Sequence, residues 1–94
     1  INLLFRHKDA DTVNAAALFF AAQLKPYLEN FMIGPAQPVV NKVRNLYLME
    51  LMLKLPKDSN TIQHAKQLIY TSTALMHADK KFRAVQVVPD IDPV

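Results

Sequence analysis

The 94-residue chain holds one glycine, Gly34, near its middle, in Ile33-Gly34-Pro35-Ala36-Gln37-Pro38. That single residue limits what the chain can fold into and what it can do. Glycine adopts backbone angles that side chains disfavour, so there is one place where a sharp bend carries no steric cost. A glycine-rich phosphate loop and the tight turn that displays a nucleophilic serine both need several glycines, so both are excluded. Pro35 and Pro38 stiffen the bend and predict a loop barred from the interior of a sheet. The loop runs into Val39-Val40-Asn41-Lys42-Val43-Arg44-Asn45-Leu46-Tyr47 and then the apolar stretch Leu48-Met49-Glu50-Leu51-Met52-Leu53-Lys54.

Either side of this centre the apolar spacing names the elements. Ile1 to Arg6 is a short apolar run read as a strand. In the polar turn after it, Asp9 or Asp11 can accept hydrogen bonds from the free amides that open a helix. From Thr12, Val13, Ala16/Ala17, Phe20 and Leu24 recur in steps of three and four, one helical face. Pro26 predicts a helix end near Lys25. Phe31 to Ile33 reads as a second strand. Val43 to Lys54 reads as a long third strand, apolar on both faces. A helix is its alternative, because Leu, Met and Glu are helix formers, but the flanking elements favour a strand. Ser59 or Asn60 can cap a second helix, whose stripe is Ile62, Ala65, Ile69, Ser72 and Leu75/Met76. Ser72 can bond back to a carbonyl one turn earlier. Phe82 to Val88 alternates as a fourth strand, stopped by Pro89.

The order strand, helix, strand, strand, helix, strand is the split-βαβ or ferredoxin-like pattern. The expected fold is a single α+β domain over residues 1–94, a four-stranded sheet with two helices on one face. The other face is left open to a partner. Apolar residues make up 51% of the chain, enough for a modest core without cross-links. With no cysteine there is no disulfide framework and no thiolate metal site, which fits a reducing cytoplasm. No apolar run reaches the roughly 18 residues of a membrane span, so no membrane partner is expected. The chain opens without Met, which predicts a piece cut from a larger protein.

Few side chains offer chemistry. Asp90 and Asp92 would point the same way from a strand and could hold a hard cation, but no third acidic ligand lies near. His7, His64 and His77 lack metal-ligand spacing. Ser59, Thr71 and Ser72 suit caps and helix positions. No catalytic residue and no cofactor are therefore expected in this chain. The net charge of +3 and pI near 9.3 leave room for a polyanion. Lys42 and Arg44 sit two apart at the mouth of the third strand, while Arg6, Lys8, Lys54, Lys80, Lys81 and Arg83 lie at or near strand ends. Gathered on one rim they would touch phosphates without reading sequence; scattered, they are an ordinary solvated surface. Tyr47 could stack on a base or serve the core.

Three segments together resemble one family. Ile33-Gly34-Pro35-Ala36 looks like its apolar-Gly-Pro-Ala turn. Lys42-Val43-Arg44-Asn45-Leu46-Tyr47 and the run to Lys54 resemble its basic and aromatic strand. Val88-Pro89-Asp90-Ile91-Asp92-Pro93 resembles its Asp-Val-Asp-Pro ending. In order and spacing, over essentially the whole chain, these resemble the C-terminal domain of the primosomal protein N′ (PriA) family of bacterial replication-restart helicases. The resemblance implies a parent that is an ATP-dependent DNA helicase, hence an ATP hydrolase, using Mg²⁺ and carrying a zinc-bearing insertion, all upstream of Ile1. It implies a C-terminal domain without catalysis that helps engage branched or forked DNA, near the contact with single-stranded-DNA-binding protein and other primosome proteins. Lys42, Arg44 and Tyr47 match the family's basic-aromatic strand, with Lys54 and Arg83 as further expected DNA contacts. The chain departs from the family at Asn45, Leu46 and Leu48, where Gly and further Arg are common. It also lacks the arginine some members place near the start of the helix at Ser59. The alternative is a ferredoxin-like module that binds protein, and no nucleic acid, through its open sheet face.

Overall fold

A computed structural model describes residues 1–40 and 42–90. Strand β1 (Asn2–His7) leads into helix α1 (Ala10–Leu28), and a 3-10 turn at Glu29–Phe31 feeds strand β2 (Met32–Ala36). A two-residue strand β3 (Lys42–Val43) and the long β4 (Leu46–Leu53) follow. Helix α2 (Ser59–Ala78), a 3-10 turn at Lys80–Phe82 and strand β5 (Gln86–Asp90) complete the described chain. The architecture is α+β, one antiparallel five-stranded sheet with two helices. The strand order is β2-β4-β1-β5, with β3 also paired to β4.

Both helices start on an aspartate. The Thr12 amide and hydroxyl donate to Asp9 Oδ2 at 2.9 and 2.6 Å. The Asn60 amide and the Thr61 hydroxyl donate to the Asp58 carboxylate at 3.3 and 2.7 Å. Each cap satisfies an amide that the helix itself leaves free.

Alternation along the strands sorts the sheet into two faces. In the register, Leu3 faces Leu51 and Phe5 faces Met49. These four and Leu53 pack with Val13, Ala16, Ala17, Phe20 and Leu24 of α1 and with Ala65, Ile69 and Met76 of α2 in one core cluster. Phe5 meets Phe20 edge-on at 5.2 Å between centroids. Removing a side chain of this size from water contributes about 1.5–3 kcal/mol, so the aromatic pair is a main support of the core. The alanines of α1 let the helix lie close to the sheet.

The opposite face carries Leu4, Arg6, Leu48, Glu50, Met52 and Val88, with Leu4 opposite both Glu50 and Val88. Leu48, opposite Arg6, is buried but lies outside the main core cluster.

Several elements differ from the sequence reading. The expected third strand, Val43 to Lys54, is a hairpin. Val43 pairs with Leu46, and Arg44 and Asn45 between them both have positive φ, 53° and 65°. That is the geometry of a two-residue hairpin turn whose twist matches its strands. It adds β3, so the sheet has five strands and not four. From Leu46 onward the chain is extended, and the helical alternative is excluded.

α1 passes through Pro26 to Leu28 instead of ending near Lys25. A proline this close to the C-terminus costs one amide bond, and the burial of Leu28 offsets it. β2 runs on past Ile33 through Pro35 at the sheet edge, and β5 continues through Pro89, which was expected to end it. Each lies in a strand with a neighbour on one side only, where a missing donor is tolerated. β5 begins at Gln86, while Phe82 belongs to the turn before it and is buried there. The α2 cap is Asp58, ahead of Ser59 and Asn60. Leu75 is exposed, and the core position there is Met76. The back-bond to a carbonyl one turn earlier is made by Thr73, whose hydroxyl donates to the Ile69 carbonyl at 2.8 Å, beside the buried Ser72.

Candidate nucleic-acid interface

Antiparallel pairing decides which connections meet. β1 ends at His7 opposite Tyr47, beside the β3–β4 hairpin. β5 begins at Gln86 opposite Arg6, so the turn leading into it reaches the same end of the sheet. Three connections therefore converge: the β1–α1 turn, the hairpin tip and the α2–β5 turn. They bring Arg6 and Lys8, Lys42 and Arg44, and Lys80, Lys81 and Arg83 to one end. Asp9, Asp11 and Asp79 stand among them, leaving four positive charges in excess in a chain whose net charge is +3.

Lys42 pairs with Tyr47 across the turn, and its Nζ lies 4.8 Å from the Tyr47 ring centroid. That is within the range of a cation–π contact, which restrains the lysine. Tyr47 is half-buried and packs against the core. One of its faces carries the ammonium and the ring body serves the core, so the structure favours the packing role over base stacking. Arg44 is exposed at the tip.

On the far side of β1, Asp79 Oδ1 accepts from the Lys81 amide at 3.0 Å and holds the basic 3-10 turn in shape. Lys81 Nζ lies 5.5 Å from the Phe82 ring. His77 Nε2 is 2.7 Å from the Val85 carbonyl oxygen, tying the end of α2 to the approach to β5. In the central turn, the Asp9 amide donates to His7 Nδ1 at 3.0 Å. From β3 across β4 and β1 to β5 is three interstrand steps, about 14 Å. The cluster is thus a strip and not a point.

Of the expected DNA contacts, Lys42, Arg44 and Tyr47 lie together in the hairpin, and Arg83 lies at the same end on the other flank. Lys54 does not join them. It follows the opposite end of β4, where its amide donates to the Phe31 carbonyl at 2.8 Å, next to the Ile1 ammonium that donates to Leu53. Seven residues of strand separate it from Tyr47, about 23 Å. Arg6, Lys8, Lys80 and Lys81 take its place. Their closeness to strand ends was visible in the sequence, but their meeting depends on strand direction.

The acidic caps titrate low. Hydrogen bonds from the Thr12 side chain and amide hold the Asp9 carboxyl below its ordinary value of 3.8, and those from Thr61 and Asn60 do the same for Asp58. Both therefore stay ionised at neutral pH. Asp9 is a fixed negative charge inside the basic end.

No three His, Cys, Asp or Glu side chains come together as a metal site among the described residues. Asp92, Ile91 and Pro93 lie outside those residues, so the Asp90–Asp92 pair and the end of the third resembling segment are not described. No helix among the described residues is long and apolar enough to cross a membrane. Compared with known protein families, curated proteins and solved structures, the chain matches none.

Proposed function

We propose that this domain binds the phosphate backbone of forked or branched DNA as the non-catalytic C-terminal part of a cytoplasmic replication-restart helicase of the primosomal protein N′ type. The observation that carries the reading is the convergence of Lys42 and Arg44, Lys8 and Arg6, and Lys80, Lys81 and Arg83 on one end of the sheet. All but the half-buried Arg6 are exposed, and exposed Lys and Arg neutralise phosphates without selecting bases, which suits a domain that must accept any fork sequence. The sheet order supports a ferredoxin-like split βαβ, with β3 an extension of the central hairpin. In this reading the ATP-hydrolysing core and the zinc-bearing insertion lie upstream, and single-stranded-DNA-binding protein and other primosome proteins are neighbours at the fork.

The test is binding to a labelled fork as a function of salt. With about four to five phosphates neutralised, the logarithm of affinity should fall with the logarithm of salt at a slope near −4. Exchanging both Lys42 and Arg44 for Glu should lower affinity at low salt and flatten the slope by about two. Unchanged binding by that variant at low salt would remove the proposal.

One observation favours a second reading, a protein-docking module. The open face presents exposed Ile33 and Val88 around half-covered Leu4 and Met52. If Leu4→Glu with Val88→Glu abolished partner binding while fork binding persisted, the docking reading would hold for that face.

A further inference from the structure

The hairpin tip carries more than charge. Arg44 stands at φ 53° in the left-handed region, in a turn where Asn or Gly is the usual choice. A long side chain in a disfavoured backbone state, exposed at the hairpin tip of a basic end, points to a use for that side chain. Phosphate contact alone does not need it there, because a charge anywhere on the strip serves equally.

Geometry limits what the tip can enter. β4 is flanked by β1 as far as Tyr47, so the Val43–Leu46 pair and the two turn residues between them project past β1. One residue of strand is about 3.4 Å, well short of the roughly 8.5 Å depth of a major groove. The backbone ribbon cannot reach the base edges there before the body of the domain meets the phosphates. A single guanidinium does fit the minor groove, only about 6 Å wide, where negative potential is strongest over narrow A·T tracts. Lys42, held against Tyr47, and the Lys80–Arg83 turn about 14 Å away then lie where flanking phosphates run.

We infer that Arg44 inserts into the minor groove of duplex DNA and gives the domain a preference for narrow A·T-rich grooves. This rests on the DNA-binding reading and adds to it a duplex, a groove and one residue that selects. Asn45, the other turn residue, tolerates left-handed backbone and sets the tip's shape.

The experiment measures binding of the 94-residue chain to two duplexes of equal length, one with a central AATT tract and one G·C-rich, at several salt concentrations. The AATT duplex should bind about fivefold tighter. Arg44→Gly suits the turn, so it should raise the melting temperature yet reduce the preference to none. Arg44→Lys keeps the charge and should hold most of the affinity while losing most of the preference, since an ammonium sheds its water less readily. Asn45→Gly should leave the preference intact. Equal affinity of the unaltered chain for both duplexes, or a preference that survives Arg44→Gly, would overturn the inference while leaving phosphate binding in place. The absence of salt-dependent binding to either duplex would overturn the DNA-binding reading itself.

Discussion

The two ends of the sheet are built from the same strands and capped in the same way, yet they differ in charge. At one end three turns gather seven cationic side chains against three aspartates. At the other, Lys25, Lys54 and Lys57 stand with Glu29, Asp58 and Asp90, beside the Ile1 ammonium, in rough balance. The comparison teaches what the core leaves free. Leu3, Phe5, Met49 and Leu51 fix register and facing, since a slip by one residue would turn all of them outward. The turns put few residues into the core, Phe82 and Val85 among them, and leave their charged positions exposed. Charge can therefore accumulate on the exposed positions of one end without displacing the core.

The largest effect expected from a single change is at Gly34, in the strand that carries the chain from the neutral end toward the basic one. Its φ is +95°, and an added Cβ would lie 3.0 Å from the Ala36 amide nitrogen and 3.2 Å from the Glu50 carbonyl oxygen. Neither neighbour is a flexible side chain. Gly34→Ala should destabilise the domain by about 1–3 kcal/mol in urea unfolding, through left-handed strain and displaced pairing with β4. If the two ends are supported independently, the variant should weaken β2 and leave salt-dependent fork binding intact at temperatures where it is folded.

A smaller and more pointed comparison uses the caps, Asp9 at the basic end and Asp58 at the other. Both carboxyls titrate below their ordinary 3.8 in the folded state. A lowered folded value means stability that is complete above that ordinary value and lost as pH falls below it toward the folded value. Asp9→Asn and Asp58→Asn keep an acceptor for the helix amide, so each should blunt that acid-side loss in melting experiments between neutral pH and pH 2. Their effects on DNA should separate. Asp9→Asn removes a negative charge from the basic end and should tighten fork binding at low salt by about two- to threefold. Asp58→Asn should change it little.

Much of the fold was legible in the chain. Val13, Ala16, Phe20 and Leu24 recur at a spacing only a helix places on one face, and α1 buries those residues. What was hidden has physical reasons. Pro26 and Pro89 each read as a stop, yet each sits where a lost amide donor matters little, in a last helical turn or an edge strand. The Arg44–Asn45 turn escaped because its usual mark, a glycine, is missing; the positive φ of an arginine is not written in its neighbours. Asp58, Ser59 and Asn60 can all cap, so composition could not choose among them. Lys54 lies at a strand end, like the other expected contacts, but the eight-residue β4 separates it from Lys42 and Arg44 and carries them to opposite ends. Arg83 is far from Arg44 in sequence and shares its end through β1. Spacing reports faces, and only strand direction reports ends.

The account depends on the basic end being the surface that meets DNA. Titrating the isotopically labelled chain with a short forked duplex, and following each backbone amide by NMR, tests this directly. The amides of Lys8, Val43 to Leu46, and Lys80 to Arg83 should shift together, saturate at one concentration and return as salt is added, while those of Lys54 and Lys57 stay in place. Shifts centred on Lys54 and Lys57, or spread over Leu4, Met52 and Val88 with the hairpin unmoved, would contradict it.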